Sequence, residues 1–502
     1  MPELDRDLAS IQEARHLATL ARQACTAMAD FSQEQVDRIV ANMARAAEAN
    51  ARPLAEMAVA ESEIGVVEDK VVKNLFAARD VAEHMKGMKT VGVLRKLEVE
   101  QVIEIAAPVG VVLALVPTTN PTSTAIFKAL IALKGRNSII ISPHPRAAKA
   151  IYRTAEILQA AAREAGAPDG AINCLTMPTL EATRELMGHK HVAMILATGG
   201  SDMVKAAYSS GKPAYGVGPG NVPAYIERSA DIPAAVGCIL ASKTFDNGTI
   251  CASEQSVITE HIIRERVRDE FRRQGAHFLT PEQKAKLEAV AITPKGSANP
   301  AIVGKSVATI AKMAGIDVPH GTRVLIADLD GVGKAYPLSV EKLSPILAFY
   351  TVNDWEEACQ VSIDLLNYGG LGHSMVIHSR NEEVIMQFGL KKPVFRILVN
   401  TPSSQGAIGA TTGLTPSLTL GCGTWGGNIT SENVGPKHMI NIKRLAYGIK
   451  PYAVSAPSPS PIKSAAVAAS VTGLTGGAGA MSTADVEAIV AAVLQRMQAG
   501  RG

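Results

Sequence analysis

Residues 109–142 read VGVVLALVPTTNPTSTAIFKALIALKGRNSIIIS, and this stretch decides the predicted fold. Two unbroken apolar runs, 109–116 and 138–142, enclose a segment with helical spacing at 121–134. Continuous apolar strands separated by helices are typical of a parallel sheet that is covered on both faces. The alternation continues with apolar runs at 172–177 and 193–197 and helical patterns at 146–165, 179–188 and 201–210. The sequence therefore predicts an α/β fold with a doubly wound parallel sheet.

The ends of these strands carry the candidate nucleotide-binding residues. A doubly wound sheet binds nucleotides at the carboxyl ends of its strands, where helix N-termini direct amides at phosphate. The residues at those ends are Pro117, Thr118, Ser142, Pro143, His144, Gly199, Gly200 and Ser201. The usual glycine fingerprint is absent from these strand ends. Its one literal match in the chain, at 421–426, is followed by a loop-like sequence rather than a helix and is therefore discounted. Gly216 and Gly218 lie in a proline-containing stretch and are expected to form a turn where the backbone approaches the nucleotide.

Cys251 lies in the run TFDNGTICASEQS, residues 244–256, and is the candidate nucleophile. Most intracellular cysteines are buried and unreactive, and the other five of this chain fit that description. Cys251 differs because it follows the polar turn 246–248, where the backbone can leave its amides free. Free amides lower the cost of a thiolate and of a neighbouring oxyanion. With no Cys or His close by to make a metal pair, the run predicts covalent catalysis without a metal.

Composition excludes several classes of function. The net charge is +3 and aromatic residues make up 4% of the chain, so neither a basic stripe nor a stacking platform for nucleic acid is present. The longest apolar stretch, 109–116, is far shorter than the ~20 residues of a membrane helix. The charged N-terminus is unlike a signal peptide, and six cysteines without regular spacing indicate reduced thiols. We expect a cytoplasmic protein that binds neither nucleic acid nor a membrane.

Several motifs in the same order resemble the aldehyde dehydrogenase superfamily. They are Cys251 with its run, VPTTNPTS at 116–123, ISPHPRA at 141–147, EKLSP at 341–345, PSSQG at 402–406 and PSLTLG at 416–421. The resemblance covers residues 5–450 and is closest to the CoA-acylating branch, including the aldehyde dehydrogenase half of bifunctional alcohol/aldehyde dehydrogenases. It implies a Rossmann-type nucleotide-binding domain, an α/β catalytic domain and a small oligomerisation element, assembled as a dimer or tetramer.

The resemblance also implies roles for individual residues. Cys251 would attack the aldehyde, and Asn120 with the Cys251 amide would bind the resulting oxyanion. Hydride would pass to NAD, and coenzyme A would take the acyl group from the thioester left on Cys251. Glu341 matches the glutamate that binds the nicotinamide ribose. His373 could assist proton transfer from CoA, but a hydrogen-bonded structural role is the favoured interpretation.

Two departures from the family pattern bear on the reaction. Hydrolytic members carry a Glu before a Leu-Gly-Gly run to activate water, whereas Gly216 lies near that position here. A thiol, with a pKa of ~8.5, needs less help from a base than water does, so thiolysis by CoA is favoured over hydrolysis. Residues 142–144 read Ser-Pro-His where many relatives have Lys and Glu for the adenosine ribose. NAD is the expected cofactor on family grounds.

These patterns divide the chain into five segments. Residues 4–88 read as successive helices that cover the first sheet, and a second α/β unit surrounds Cys251. We predict a nucleotide-binding domain at 1–235, a catalytic domain at 236–425, an oligomerisation or return segment at 426–450, a flexible linker at 451–480 and an amphipathic helix at 481–502.

The terminal segments predict a tethered targeting helix. Residues 451–480 are rich in Ala, Ser, Pro and Gly and cannot form a core. Apolar residues recur at helical spacing from Val486 to Met497, with Ser482 as the N-cap. Docking on a partner is favoured over docking back on this chain. The tail resembles the encapsulation peptides of bacterial microcompartments, which implies that 481–497 bind shell proteins or other cargo in the compartment lumen.

The combined prediction is oxidation of propionaldehyde or acetaldehyde to the acyl-CoA with reduction of NAD. A hydrolytic aldehyde dehydrogenase that forms the free acid is the alternative. A scaffold protein that uses only the terminal helix is less well supported, because Cys251 and Asn120 are both present. The choice between the two aldehydes depends on side-chain directions that a sequence does not contain.

Overall fold

The computed structural model describes residues 5–450, together with the isolated Ala484 and Ala491. Backbone contacts divide the chain into two units, Met1–Tyr447 and Gly448–Gly502. Apart from those two alanines, the predicted linker at 451–480 and helix at 481–502 lie outside the described residues.

Helices and strands alternate through most of the first unit. The helices are α1 Arg6–Ala27, α2 Gln33–Ala49, α3 Ala51–Ser62, α4 Val67–Leu75, α5 Val81–Met85, α6 Pro121–Lys134, α7 Ala148–Glu164, α8 Leu180–Gly188, α9 Ser201–Tyr208, α10 Ile232–Thr244, α11 Arg264–Arg273, α12 Pro281–Ala291, α13 Val307–Ala314, α14 Trp355–Tyr368, α15 Glu382–Lys391 and α16 Ser403–Ala407. The strands are β1 Gly92–Leu97, β2 Val102–Pro108, β3 Val111–Val116, β4 Ser138–Pro143, β5 Ile172–Cys174, β6 Val192–Thr198, β7 Ala214–Val217, β8 Val222–Ile226, β9 Glu254–Glu260, β10 Ala276–Phe278, β11 Val324–Asp328, β12 Ile346–Val352, β13 Met375–His378, β14 Ile397–Val399 and β15 Ile440–Ala446. The predicted α/β alternation is confirmed, and no helix in residues 5–450 is long and apolar enough to cross a membrane.

Five parallel strands form the first sheet, in the order β5-β4-β3-β6-β7. The order reverses between β3 and β6, which lie side by side although two other strands separate them in the sequence. A reversal of this kind opens a crevice at the carboxyl ends of the strands, where open α/β sheets bind their ligands. Every residue of β3 and β4 is buried, which explains their unbroken apolar sequences.

Seven parallel strands form the second sheet, in the order β10-β11-β12-β9-β8-β13-β14. The first of these strands in the sequence, β8, pairs with β9 and β13. The chain therefore passes from one sheet to the other between Val217 and Val222, ahead of the predicted domain limit at 235. An apolar run identifies a buried strand but does not say which sheet it joins.

Three antiparallel strands form a third sheet, in the order β1-β2-β15. Strands β1 and β2 were not predicted from the sequence. β15 lies within the segment 426–450, for which an oligomerisation or return role was predicted, and it pairs with β2 along its whole length. Most residues of β1 and β15 are exposed, so these strands lack the apolar pattern by which a buried strand is recognised.

Candidate active site

A cavity of about 750 Å³ lies at the carboxyl ends of β3, β4 and β6 and extends to residues of loops that flank the strands of the second sheet, among them Cys251 and Glu341. The predicted site residues that line it are Pro117, Thr118, Asn120, Ser142, Pro143, His144, Gly199, Gly200, Gly218, Cys251 and Glu341. The fold therefore brings both predicted catalytic residues and most of the predicted cofactor-binding residues to one place.

One predicted cofactor-binding residue, Gly216, is not among the described residues that line this cavity. Gly216 lies in β7, where its amide donates to the Tyr208 hydroxyl at 3.0 Å. A Cβ at Gly216 would come within 2.7 Å of Val204 Cγ1, so packing against α9 requires the glycine. Ser201 is the first residue of α9, directly after Gly200. Because position 216 faces α9, the presence or absence of a catalytic base has to be judged from the cavity lining instead.

Cys251 follows a turn with an unusual backbone conformation. Asp246 and Asn247 have positive φ angles of 48° and 53°, which few residues other than glycine adopt. The thiol is half-buried, and its burial raises the pKa of Cys251 to about 12. Glu341 and Cys422 also contribute to this rise, against a smaller opposing effect of Arg396. The expected benefit of free amides is thus outweighed by desolvation, and the thiol is protonated at neutral pH.

His373 contacts the sulfur of Cys251. Its Nε2 lies 3.1 Å from Cys251 Sγ, and its Nδ1 lies 3.1 Å from the Ser374 hydroxyl. That hydroxyl oxygen also accepts a hydrogen bond from Arg396 Nε at 3.2 Å, so its proton is free to be donated to Nδ1. We therefore assign the imidazole proton to Nε2, which donates to the sulfur. Burial lowers the pKa of His373 to about 3, so the ring is neutral.

Asn120 occupies the N-cap position of α6, directly after β3. Its Oδ1 accepts a hydrogen bond from Lys73 Nζ at 2.6 Å. Its Nδ2 lies 3.1 Å from the Thr119 hydroxyl and 3.4 Å from the carbonyl oxygen of Thr249. The amide nitrogen is therefore turned toward the segment that leads to Cys251, as an oxyanion donor has to be.

Among the described residues, Glu341 is the only acidic one that lines the cavity. Its Oε1 accepts a hydrogen bond from the amide of Gly220 at 2.9 Å. Burial raises the pKa of Glu341 to about 7, and the Gly220 amide and two nearby lysines, Lys243 and Lys342, oppose the rise. The carboxyl group is thus partly protonated near neutral pH, and it acts electrostatically on Cys251.

Two residues at this site, Lys73 and Arg396, were not predicted from the sequence. His373 was named as a possible participant in proton transfer from CoA, but a structural role was favoured for it. Lys73 precedes its partner Asn120 by 47 positions, and His373 follows Cys251 by 122 positions. No local sequence spacing could therefore predict either contact. The one local signal is that Lys70 and Lys73, three residues apart, share a face of α4.

The cavity also carries polar groups suited to a dinucleotide. Within the described residues, the hydroxyls of Thr118 and Thr198 and the Oδ1 of Asn221 are buried without a hydrogen-bond partner, and all three residues line the cavity. Gly199 and Gly200 precede the N-terminus of α9, whose amides can bind phosphate. These donors and acceptors fit the ribose hydroxyls and phosphates of NAD.

Comparisons with known proteins extend over most of the chain. The model of the aldehyde dehydrogenase family matches residues 6–419. The bifunctional aldehyde-alcohol dehydrogenase AdhE of Escherichia coli (strain K12) is 48% identical over 443 residues, which are 87% of this chain and 50% of that protein. The chain therefore spans about half the length of that curated relative.

Two solved structures are also similar. An acetylating aldehyde dehydrogenase from Geobacillus thermoglucosidasius is 53% identical, with a TM-score of 0.89, and the match covers 90% of this chain and 100% of that one. A propionaldehyde dehydrogenase from the fucose utilisation bacterial microcompartment of Clostridium phytofermentans is 29% identical, with a TM-score of 0.78 and coverage of 86% and 97%. Both similarities thus extend over most of this chain.

Proposed function

Because the chain belongs to the aldehyde dehydrogenase family, we propose that it oxidises a short aliphatic aldehyde to the acyl-CoA with reduction of NAD. The observation that carries this proposal is the meeting of Cys251 and Asn120 at one cavity, with His373 in contact with the Cys251 sulfur. The similarity to an acetylating aldehyde dehydrogenase supports the same reaction.

The first step is attack of Cys251 on the aldehyde. The S–H bond of Cys251 breaks as its proton passes to solvent, a bond forms between Sγ and the carbonyl carbon, and the π electron pair of the carbonyl moves to its oxygen, which takes up negative charge. Asn120 Nδ2 and the Cys251 amide are the proposed donors to this oxygen, and each such donor contributes a few kcal/mol when it is prearranged. The Nε2–H of His373 donates to the sulfur and stabilises the thiolate, which compensates in part for its burial.

The resulting thiohemiacetal would lose its hydride to NAD when that cofactor is bound, so that an acyl thioester would remain on Cys251. We assign Glu341 to the nicotinamide ribose. In the structure its carboxyl group accepts from the Gly220 amide at 2.9 Å, and a ribose hydroxyl can replace that donor. Thr118, Thr198 and the amides after Gly200 are the proposed partners of the remaining hydroxyls and phosphates.

Coenzyme A then takes the acyl group. The CoA sulfur bonds to the acyl carbon, and the bond from that carbon to Cys251 Sγ breaks. The Nε2–H of His373 donates a hydrogen bond to the departing Cys251 thiolate. Glu341, with a pKa of about 7, can accept the proton of the CoA thiol. Bulk water has a pKa of ~15.7, so hydrolysis would need a stronger base than the cavity lining offers. This favours thiolysis over the hydrolytic alternative.

The cavity lining supports a small apolar substrate. Ile250, Ile408, Leu418 and Leu420 contribute apolar side chains to it. Such side chains bind a short alkyl group but give no charged partner to an acidic or phosphorylated aldehyde. Propionaldehyde and acetaldehyde both meet this description.

We further assign the protein to the lumen of a bacterial microcompartment in the cytoplasm. The apolar helical spacing between Val486 and Met497 supports binding of shell proteins or other cargo through residues 481–497. The similarity to a propionaldehyde dehydrogenase from such a compartment is a second support. A homo-oligomer, dimer or tetramer, would cover the exposed strands β1 and β15.

The function is tested by following NADH absorbance with propionaldehyde and NAD, with and without CoA, while propionyl-CoA and propanoate are assayed directly. The proposal expects turnover that requires CoA and yields the thioester. Steady turnover to propanoate without CoA would establish the hydrolytic alternative. Acetaldehyde in parallel reactions gives the chain-length preference.

A further inference from the structure

Two lysines and an aspartate that the proposed reaction does not use are buried beside the site. Lys70 and Lys73 lie on α4 and are 2% and 3% exposed, and Asp246 is fully buried. Asp246 Oδ2 accepts hydrogen bonds from Lys70 Nζ at 2.9 Å, from Lys73 Nζ at 2.5 Å and from the Thr249 hydroxyl at 2.7 Å. Burying two ammonium groups against one carboxylate contributes little to the free energy of folding. The other partners of these groups are therefore the better guide to their role.

Lys73 differs from Lys70 in its other partners. Its Nζ donates to Asn120 Oδ1 at 2.6 Å and to the Thr249 hydroxyl at 3.0 Å. Lys70 Nζ donates instead to the backbone carbonyl of Thr119 at 2.8 Å. Of the two lysines, Lys73 lines the cavity. Burial lowers the pKa of Lys73 to about 8, with Asp246 opposing a larger fall, so the group is mostly charged at neutral pH.

The bond from Lys73 determines which way the Asn120 amide faces. Turning a side-chain amide by 180° exchanges its acceptor Oδ1 with its donor Nδ2. An ammonium group has only donors, so Oδ1 must lie on the side of Lys73. Nδ2 then faces Thr249 and the segment leading to Cys251. A cation at Oδ1 also polarises the amide and strengthens the Nδ2–H as a donor.

We propose that Lys73 is a positioning residue that orients and polarises the oxyanion-binding amide of Asn120. The inference rests on the proposed function, in which Asn120 stabilises the oxygen that becomes negative when Cys251 attacks a carbonyl. Lys70 has the structural role of anchoring Asp246 and the Thr119 carbonyl. It is the matched control, because it lies on the same helix, is equally buried and binds the same carboxylate.

Two reactions of Cys251 separate oxyanion binding from placement of the nucleophile. Acylation by 4-nitrophenyl acetate forms a tetrahedral oxyanion and needs neither NAD nor CoA, whereas alkylation by iodoacetamide displaces iodide and forms no oxyanion. The ratio of the acylation to the alkylation rate constant therefore reports on the oxyanion site. Lys73→Met should lower this ratio about tenfold or more and leave alkylation within about twofold. Lys70→Met should change the ratio less than about twofold.

A double variant tests whether Lys73 acts through Asn120. Acylation of the Lys73→Met, Asn120→Ala double variant should lie within about twofold of Asn120→Ala alone. Losses that multiply in the double variant would overturn the inference, as would a parallel decline of both reactions in Lys73→Met. If Lys73→Met folds poorly, Lys73→Gln keeps an uncharged donor for Asn120 Oδ1 and should retain an intermediate ratio with normal alkylation.

Failure of the proposed function has a different signature. If Asn120→Ala leaves the acylation rate unchanged, the oxyanion role of Asn120 is wrong. The proposed assignment of the catalytic site is then wrong as well. If Asn120→Ala is impaired while Lys73→Met keeps the wild-type ratio, only the role of Lys73 is wrong. Both reactions can be measured whether or not the protein oxidises an aldehyde.

Discussion

The Nε2 atom of His373 lies 3.1 Å from the Sγ atom of Cys251, although 122 positions separate the two residues in the chain. The ring is fully buried and its pKa is lowered to about 3 by that burial. A ring with so low a pKa is a poor proton acceptor at neutral pH but remains a good donor from Nε2. His373 therefore acts on the sulfur through a hydrogen bond rather than as a general base.

Replacing His373 by Ala should slow alkylation of Cys251 by iodoacetamide about tenfold at pH 8. The variant loses a hydrogen bond to the thiolate, and one pKa unit corresponds to about 1.4 kcal/mol, within the strength of a bond to a charged group. Ser374→Ala keeps the ring but removes the hydroxyl bonded to Nδ1, so its loss should be smaller. An unchanged alkylation rate in His373→Ala would show that the contact has no effect on the thiol.

Cys251→Ala should abolish acyl transfer and aldehyde oxidation, because no other described thiol faces the cavity. Cys238→Ala is the control, since Cys238 is also only half-buried but lies on α10. We expect the control to keep at least about half of the wild-type kcat. Mass spectrometry of the acylated protein should locate the acetyl group on Cys251. Modification of Cys238 or retained turnover in Cys251→Ala would refute the assignment of the nucleophile.

Removing the charge of Glu341 should make Cys251 more reactive in the free protein. The Glu341 carboxylate helps to raise the pKa of the thiol, so Glu341→Gln lowers that pKa and increases the thiolate fraction. Alkylation at pH 8.5, where Glu341 is ionised, should accelerate severalfold while the KM for NAD rises. Glu254→Gln is the control, because burial also raises the pKa of Glu254 to about 7 but its charge is not among those acting on Cys251.

The pH dependence of alkylation follows from the raised pKa of the Cys251 thiol. The pKa of Cys251 is raised to about 12, so the thiolate fraction of the wild-type protein increases about tenfold for each pH unit below that value. The logarithm of the alkylation rate should therefore rise with a slope near one between about pH 8 and pH 10. A plateau that begins below pH 9 would mean that the thiol is activated in the free protein.

Gly220→Ala should destabilise the protein, whereas Gly218→Ala should not. A Cβ at Gly220 would lie 2.1 Å from the carbonyl oxygen of Cys251 and 3.1 Å from His373 Nδ1, while a Cβ at Gly218 meets no atom within 4 Å. Overpacking against backbone costs about 1–3 kcal/mol, which thermal unfolding detects as a lower Tm. Gly218→Ala should keep its Tm and change only the affinity for NAD. Equal Tm values for the two variants would contradict this description of the turn.

Deletion of residues 481–502 should leave activity in solution nearly unchanged but abolish co-purification with microcompartment shells. The physical reason is that the apolar residues at helical spacing between Val486 and Met497 predict one apolar face, through which this segment would bind a partner. A variant with Val490→Asp and Leu494→Asp retains the length of the tail while interrupting that face, and it should behave like the deletion. Retained co-purification of both variants would contradict the targeting role.

The sequence by itself determined the fold class, four of the five strands of the first sheet and the candidate nucleophile, whereas β7, around Gly216, was predicted as a turn. β3 and β4 are buried along their whole length, so each had to be an unbroken apolar run. A doubly wound sheet binds its ligands at the carboxyl ends of its strands. Thr118, Asn120 and Gly199 could therefore be assigned to a binding site from the sequence. Cys251 was recognisable because its polar turn is continuous in the chain.

The tertiary structure alone decided how these parts act on each other. The contacts of Cys251 with His373 and of Asn120 with Lys73 join distant segments, and a linear pattern does not record which segments meet. The raised pKa of Cys251 is likewise a property of burial and neighbouring charges, opposite in direction to what the local turn suggested. The same reason explains why the surroundings of Gly216 could not be predicted. The glycine motif is visible in the sequence, but the packing of Gly216 against Val204 and Tyr208 of α9 is not.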